Sequence, residues 1–344
     1  MTERFYLTGD VSSALTQFAA YGLALLAEEE FPDAQASLSY TQEARPRAVL
    51  DLKGVRADDV AVAVRDVAQR WSQPDAWAQK LLRYPDGKKS AHRSPFSPRI
   101  KGFEDEETWL EHVSFRAAEL DRLVDDDLAL QFIHGLGEAA YWRKESNSPR
   151  PDDGASRWEM KTRNRGEEFI ANRFAGLVKE VATWAPQQIL NGLAGITLND
   201  VIGKQKADSR TSTGLTRPQP VDNALALVAL LGMSLMPPIR DLRGISITPG
   251  AYPRRVTHPR WMVLPVPIEP TTVDRMRSIM LSAQFDHVAE AAVGQAKADS
   301  EMETAGRAWL RSRNIAAVSV FQIFKGGSSS APERQVLDGT LVIL

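Results

Sequence analysis

The stretch Ala207–Pro238, with the sequence ADSRTSTGLTRPQPVDNALALVALLGMSLMPP, joins a basic loop directly to a very apolar segment. From Ala224 to Met236 nearly every residue is apolar, which predicts a helix that is buried on all sides. This segment is too short to span a bilayer, so it is interpreted as a core helix. Asp222 or Asn223 is expected to cap the start of the helix, and the two prolines that follow Met236 are expected to end it.

The N-terminal region contains a second segment of the same kind. Ala14–Leu25 reads ALTQFAAYGLAL and Ala224–Leu235 reads ALALVALLGMSL, and an ungapped alignment places Gly22 opposite Gly232. Glycine inside a helix costs about 1 kcal/mol relative to alanine, so two glycines at one register predict a shared need for close backbone approach. The alternative is chance similarity between two buried helices that are rich in alanine and leucine.

Composition describes an ordinary globular chain. It has 344 residues with 42 Lys and Arg against 44 Asp and Glu, and it has no cysteine. The length allows two or three domains, and the absence of cysteine excludes disulfides, thiolate zinc sites and a cysteine nucleophile. The N-terminal sequence has no secretory signal pattern. We therefore expect a cytoplasmic protein without a membrane segment.

The order of predicted elements indicates an α+β fold built from two ferredoxin-like or RRM-like β-α-β-β-α modules, with a helical insertion and a C-terminal β-hairpin. Residues 1–75 form the first module, residues 76–192 a basic loop and the helical insertion, and residues 193–344 the second module. In the second module the predicted strands are 195–202, 244–248 and 261–266, and the predicted helices are 223–236, 273–283 and 296–313. The hairpin is predicted to pair 315–324 with 335–344.

Basic residues are concentrated in four predicted loops although the net charge is only −2. Mobile cations beside glycine and aromatic rings suit a phosphate backbone, so we predict that these loops contact nucleic acid, with Tyr84 and Phe96 as stacking faces. For any single cluster the alternative is a solvated surface. The clusters are Lys80, Arg83, Lys88, Lys89, Arg93, Arg99 and Lys101; Lys204, Lys206, Arg210 and Arg217; Arg240, Arg243, Arg254, Arg255 and Arg260; and Arg157, Lys161, Arg163 and Arg165. The residues predicted to bind are Lys88, Lys89, Arg93, Arg99, Lys101, Lys204, Lys206, Arg210, Arg217, Arg254 and Arg255.

Sequence signatures of catalysis are missing. The chain contains no Walker A motif, no H-E-x-x-H and no G-x-S-x-G, and its five histidines have no ligand spacing. Asp125, Asp126 and Asp127 precede an apolar helix, and acidic residues at that place complement the helix dipole. We interpret them as a helix start and not as metal ligands. No catalytic residue, metal ion or cofactor is predicted.

Several phrases resemble a family of CRISPR-associated proteins. Asp208-Ser-Arg210, Gly214-Leu215 and Pro220-Val221, leading through Leu227–Gly232 to Pro237-Pro238, are similar to a motif of the large-subunit-like proteins of subtype I-G, formerly I-U. Trp261–Pro265 resembles the next landmark of that family, and Phe18–Leu23 resembles its opening helix. The family often carries cysteines there and this chain has none. The resemblance covers about residues 10–30 and 205–267.

The resemblance implies a non-enzymatic subunit of an RNA-guided surveillance complex of the Cascade type. Such a subunit contacts guide RNA or target DNA and other effector-complex subunits, while base pairing reads the target sequence. Two alternatives stay open at this point. The chain is a metal-dependent nuclease or other phosphodiester enzyme with an unrecognised carboxylate site, or it is a protein-only assembly factor.

Overall fold

The computed structural model describes residues 2–86, 89–99, 105–138, 144–145, 148–149, 151–160, 169–209, 211, 214–241, 244–328 and 331–344. Helices and small antiparallel sheets alternate along the chain, which confirms the α+β class. The elements of the first module are β1 (Thr2–Tyr6), α1 (Ala14–Glu30), β2 (Gln35–Tyr40), β3 (Ala48–Lys53) and α2 (Ala57–Ser72).

The first five elements follow the predicted β-α-β-β-α order. Strand β3 lies between β1 and β2 and is antiparallel to both. Helix α1 begins at Ala14 because the Ser13 hydroxyl accepts the Thr16 backbone N–H at 3.2 Å. The helix is buried continuously from Ala14 to Ala27. It is therefore a core element and not an amphipathic surface helix.

The described part of the middle region contains helices and two antiparallel strand pairs. Its elements are β4 (Leu82–Asp86), β5 (Lys89–Arg93), α3 (Glu106–Asp121), α4 (Asp127–Leu136), β6 (Lys144–Glu145), β7 (Ser148–Pro149), α5 (Ala175–Val181) and α6 (Pro186–Ala194). The segment predicted as a basic loop is partly the antiparallel pair β4–β5, in which Asp86 lies opposite Lys89. Asp126 caps α4 by accepting the Ala129 N–H at 3.0 Å, which confirms the helix-start interpretation.

The last third contains α7 (Asn223–Leu231), β8 (Ala251–Tyr252), β9 (Trp261–Pro267), β10 (Thr271–Thr272), α8 (Val273–Met280), α9 (Ala283–Ala292), α10 (Glu301–Arg311), β11 (Ile315–Ser328), β12 (Ala331–Val336) and β13 (Thr340–Ile343). The terminal hairpin is confirmed, since β11 pairs with β12 and β13 along one edge and with β9 along the other. Gly339 lies between β12 and β13, where a Cβ would collide with the Phe321 ring.

Two predicted strands of the second module do not form. Residues 195–202 are irregular because side chains take up their backbone groups: Asp222 accepts the Asn199 N–H at 2.9 Å and Asn223 accepts the Ile202 N–H at 3.2 Å. Residues 244–248 make only a single bridge, between Ile239 and Ile247. A backbone group bonded elsewhere cannot join a strand ladder. The strand at 261–266 and the helix beginning at 273 are confirmed.

Helices α1 and α7 pack against each other through the two aligned glycines. A Cβ built on Gly22 would lie 2.8 Å from the Gly232 nitrogen and closer still to the Val228 carbonyl oxygen. A Cβ built on Gly232 would lie 2.8 Å from the Phe18 carbonyl carbon and closer still to its oxygen. These backbones approach too closely for any side chain, which confirms the close approach predicted from the paired glycines.

The contact between α1 and α7 is reciprocal. In the ungapped alignment Phe18 corresponds to Val228 and Gly22 corresponds to Gly232. Gly22 lies against Val228, and Gly232 lies against Phe18, so each glycine contacts the same aligned position of the other helix. Such reciprocity is the property of an interface with two-fold symmetry. Strand β10 also pairs with β2, and a single hydrophobic core includes residues of all three predicted segments. The helix pair is thus the centre on which both halves of the chain are assembled.

Candidate nucleic-acid interface

Segment 153–160 is the scaffold on which several basic residues meet. Arg157 is buried and its guanidinium donates to the carbonyls of Ala155 at 2.6 Å and Thr257 at 3.2 Å. Burial lowers the pKa of Arg157 to about 9, nearby Arg99 adds to the decrease, and Asp153 and Glu159 oppose it. A cation of the fourth basic cluster therefore lies inside the protein and holds the 251–260 segment in place.

Arg334 of β12 connects this scaffold to the terminal hairpin. It is buried and donates to the carbonyls of Glu159 at 2.9 Å, Arg157 at 3.3 Å and Thr257 at 3.5 Å. The Gly214 carbonyl accepts the N–H of Val336, two residues further along the same strand, at 2.8 Å. Arg334 and its strand therefore join segments from three of the four basic clusters.

Arg99, from the first basic cluster, brings a fourth segment of the chain to the same scaffold. Its guanidinium donates to the Ser156 carbonyl at 2.8 Å, and its Nε lies 2.5 Å from Oε2 of Glu159, whose side chain is only 1 % exposed. Arg93 is also buried. The predicted phosphate contacts of Arg99 and Arg93 are thus corrected: both side chains lie inside the fold, where a phosphate backbone does not reach them.

The predicted aromatic partner Phe96 is corrected as well. Its ring is fully buried and packs edge-on against Trp77, with 5.8 Å between ring centroids. A ring enclosed in the core offers no face to a nucleobase. Of the remaining predicted residues of this cluster, Lys88 and Lys101 lie outside the described residues, as do the side chains of Lys89 and Tyr84. Those contacts stay predictions.

The pKa of His258 shows that positive charge is concentrated where these segments meet. Its ring is partly buried, and its pKa is lowered to about 4, first by desolvation and then by the positive charges of Arg334, Lys325, Arg99 and Arg157. These four cations come from β12, β11, the first basic cluster and the scaffold segment. The fold thus concentrates positive charge from distant parts of the chain around one imidazole that is neutral at pH 7.

The hairpin itself carries an unfavourable pair. Lys325 of β11 lies directly opposite Arg334 of β12 in the strand register. Like charges at opposed positions of an antiparallel pair destabilise a sheet. Sequence reasoning missed both residues, although a hairpin turning in the Gly-Gly-Ser-Ser-Ser stretch places these two positions across from each other. The sequence signal that could have identified them is the pair of like-charged residues at opposed positions of the hairpin.

The other predicted binding residues are distributed between ion pairs and open surface. Arg254 pairs with Asp286, which also accepts the Tyr252 hydroxyl at 2.8 Å. Burial is the main cause that raises the pKa of the Asp286 carboxyl. Arg255 is exposed, with Nε 3.4 Å from Oδ2 of Asp241. These ion pairs orient the guanidinium groups and leave the exposed arginine accessible to an anion.

The second basic cluster divides between two places. Arg217 is exposed and pairs with Asp338, next to the hairpin. Lys204 and Lys206 are exposed on a separate turn, and Arg210 lies outside the described residues. The structure therefore brings the Arg217 end of this cluster to the hairpin and leaves the two lysines on a surface of their own.

The described residues contain no group of three His, Cys, Asp or Glu side chains placed to hold a metal ion. None of the helices in the described part of the chain has both the length and the apolar character needed to cross a membrane. Comparison with protein-family models, with curated proteins and with solved structures finds no match to this chain.

Proposed function

We propose that this chain is a non-catalytic nucleic-acid-binding subunit of an RNA-guided CRISPR surveillance complex of the Cascade type, acting in the cytoplasm. The observation that carries the proposal is the convergence of four distant basic segments around Arg334 and His258. The phrases of residues 10–30 and 205–267 that resemble the large-subunit-like family support the choice of complex. The proposed ligands are guide RNA, target DNA and neighbouring subunits.

The buried and exposed cations have different roles in this proposal. Arg99, Arg157 and Arg334 are held by carbonyls and by Glu159, so they set the positive potential without touching the ligand. The exposed side chains of Arg255, Arg260 and Lys325 lie on the 251–260 segment and on the hairpin, where phosphates can approach them. Buried donors act in a low dielectric, so their field at the surface is strong. Phosphate contacts of this kind position nucleic acid without reading its sequence.

We also propose that the chain arose by duplication of a β-α-β-β-α unit of ferredoxin-like type. The reciprocal contact of Gly22 with Val228 and of Gly232 with Phe18 supports this, as does the three-strand order of the first module. The second copy has kept its core helix, one strand at 261–267 and the helix after it, while its other strands are replaced by loops. One of those loops carries Arg255 and Arg260 of the candidate interface.

The test compares two triple variants. Arg255, Arg260 and Lys325 are changed together to alanine, and the matched control changes Arg275, Lys297 and Arg311, three exposed basic residues of α8, the α9–α10 connection and α10. Fluorescence anisotropy measures binding of labelled single-stranded RNA, single-stranded DNA and duplex DNA over a range of salt concentrations. If each residue contacts one phosphate, the slope of log K against log salt falls by about 2 to 3 units in the first variant and stays unchanged in the control.

Equal losses in both variants would show that only net charge matters and would overturn the assigned interface. Absence of nucleic acid from the complex purified from native cells would overturn the function and favour an assembly factor. Incubation of labelled RNA and DNA with Mg²⁺ or Mn²⁺ addresses the enzyme alternative. Intact substrate is expected, and specific cleavage that a carboxylate substitution abolishes would show that the chain is a nuclease.

A further inference from the structure

The loop between α6 and α7 exposes aliphatic side chains at an unusual density. Ile196, Leu198, Val201 and Ile202 are between 36 and 72 % exposed, and they occupy only seven consecutive positions. We call residues 195–206 the aliphatic loop. Single exposed aliphatic residues are normal on protein surfaces, but a concentration of them marks an interaction site.

Buried polar groups, and not its aliphatic side chains, hold the aliphatic loop in its conformation. Asp200 is fully buried and accepts the Gly203 N–H at 3.0 Å, and its own carbonyl accepts the Gln205 N–H at 3.0 Å. The Asp222 carboxylate, which caps α7, accepts the Asn199 N–H at 2.9 Å. The loop is therefore attached to the start of the central helix, and its exposed side chains contribute little to folding.

Two lysines complete the surface. Lys204 and Lys206 are exposed at the C-terminal end of the aliphatic loop, and Lys204 occupies the left-handed region with φ 56°. An apolar centre with charged groups at its edge is the usual arrangement of a protein–protein interface. A conformation that is already ordered lowers the entropy cost of binding. The lysines favour a partner that carries carboxylates.

We propose that the aliphatic loop is the docking site for a protein partner that presents an apolar segment bordered by Asp or Glu residues. Nucleic acid is the less suitable occupant because the loop contains no aromatic ring, and single strands bind proteins by stacking their bases on aromatic side chains. This inference does not depend on the basic interface around Arg334. It assigns Lys204 and Lys206, first predicted to bind phosphate, to a protein contact.

The test places the photo-crosslinking residue p-benzoylphenylalanine at Val201 in the full chain, expressed in its native cells. The matched control places it at Val124, an exposed aliphatic residue in the turn between α3 and α4. Irradiation is followed by purification under denaturing conditions and identification of the crosslinked peptide. The expected product, formed at 201 and not at 124, joins the chain to one protein at a segment that combines apolar residues with carboxylates.

Substitutions then test the chemistry of the contact. Lys204→Glu together with Lys206→Glu is expected to lower the crosslinking yield about tenfold, and replacing the partner's carboxylates by lysine is expected to restore it. Leu198→Ser is expected to lower the yield by about tenfold or more without changing the melting temperature, because the side chain is exposed in the free protein.

Four results would overturn the proposal. A crosslink to RNA or DNA would return Lys204 and Lys206 to the nucleic-acid interface, and a crosslink to a second copy of this chain would make the aliphatic loop a self-association surface. Equal yields at 201 and 124, including no product at either, would show that the surface has no specific occupant. A partner segment without carboxylates, or no rescue by charge exchange, would refute the role of the lysines.

Discussion

Replacing Gly232 or Gly22 by alanine tests the central helix contact. Each new Cβ would lie 2.8 Å or less from backbone atoms of the other helix, so no rotamer change relieves the collision. Carbon atoms pack at about 3.5–4.0 Å, and the carbonyl oxygens of Val228 and Phe18 lie closer still to the new Cβ atoms, so the helices must separate by at least about 1 Å. Gly232 has helical backbone angles, with φ −60° and ψ −16°, and Gly22 lies within α1. Alanine adopts these angles without strain, so the substitutions destabilise the protein through packing.

The expected cost follows from the contacts that the separation opens. A buried side chain makes about 40–60 atom contacts, each worth about 0.1–0.2 kcal/mol. A gap of about 0.5–1 Å removes about a quarter to a half of the attraction energy of every contact across it. Opening the sides of Phe18 and Val228 that face the other helix costs about 1–2 kcal/mol at each residue, in the range of measured overpacking effects. Gly22 is inside α1, where replacing glycine by alanine stabilises the helix by about 1 kcal/mol and offsets part of the packing loss. We expect losses of about 2–4 kcal/mol for Gly232→Ala and about 1–3 kcal/mol for Gly22→Ala.

Urea unfolding followed by tryptophan fluorescence measures these losses. Trp158 is a local reporter, since its ring packs edge-on against Phe18 with 6.2 Å between centroids. The matched control is Gly176→Ala in α5, where a Cβ would meet no atom within 4 Å. That variant is expected to gain up to about 1 kcal/mol. The double variant at Gly22 and Gly232 should cost less than the sum of the single losses, because one helix separation accommodates both methyl groups.

The reasoning is refuted if both single variants unfold at the urea concentration of the unmodified chain while the control shifts upward. It is also refuted if the double variant is strictly additive, because independent effects would mean that the two glycines do not share a contact.

Substitutions at three further residues test the electrostatic features. Glu159→Gln should lower the free energy of unfolding by about 3–5 kcal/mol, because it leaves the buried Arg99 cation without its carboxylate; an unchanged urea midpoint would contradict the buried pair. Burial lowers the pKa values of His112 and His258 to about 4 from 6.5, so the unfolded chain binds more protons between these values. The urea midpoint should therefore fall as pH drops from about 6.5 toward 4, and His112→Gln should flatten that fall. Asp126 caps α4 with one carboxylate oxygen and accepts the indole N–H of buried Trp71 at 2.8 Å with the other, so Asp126→Asn should cost about 1–3 kcal/mol in a thermal unfolding experiment and Asp126→Ala should cost more; an unchanged melting temperature in both variants would contradict the double role.

Local physical chemistry allowed several elements to be predicted from the sequence. The α+β class, the first β-α-β-β-α order, the terminal hairpin and the caps at Asp222 and Asp126 all depend on residues close in the chain. The paired glycines at positions 22 and 232 predicted close backbone approach at each helix, because glycine is costly in a helix and its presence at equivalent positions indicates a spatial constraint. Only the structure showed that the two helices are each other's partners.

The predicted strand at 195–202 shows where local patterns failed. Its apolar residues fit a strand, but Asp222 and Asn223, more than twenty residues away, bind its backbone N–H groups. A sequence pattern records which residues are apolar and does not record which backbone groups are already satisfied. The aliphatic residues therefore ended on the surface and not in a sheet.

Only the tertiary structure decided which cations are buried and which face solvent. Arg99 and Arg334 have no local feature that distinguishes them from exposed arginines, since the groups that hold them, Glu159 and its carbonyl, come from another segment of the chain. A buried charge is tolerated only where a counter-charge and hydrogen-bond acceptors surround it, and distant segments supply those partners when the chain folds. Basic clusters could thus be found in the sequence, while the division of their members between scaffold and surface required the fold.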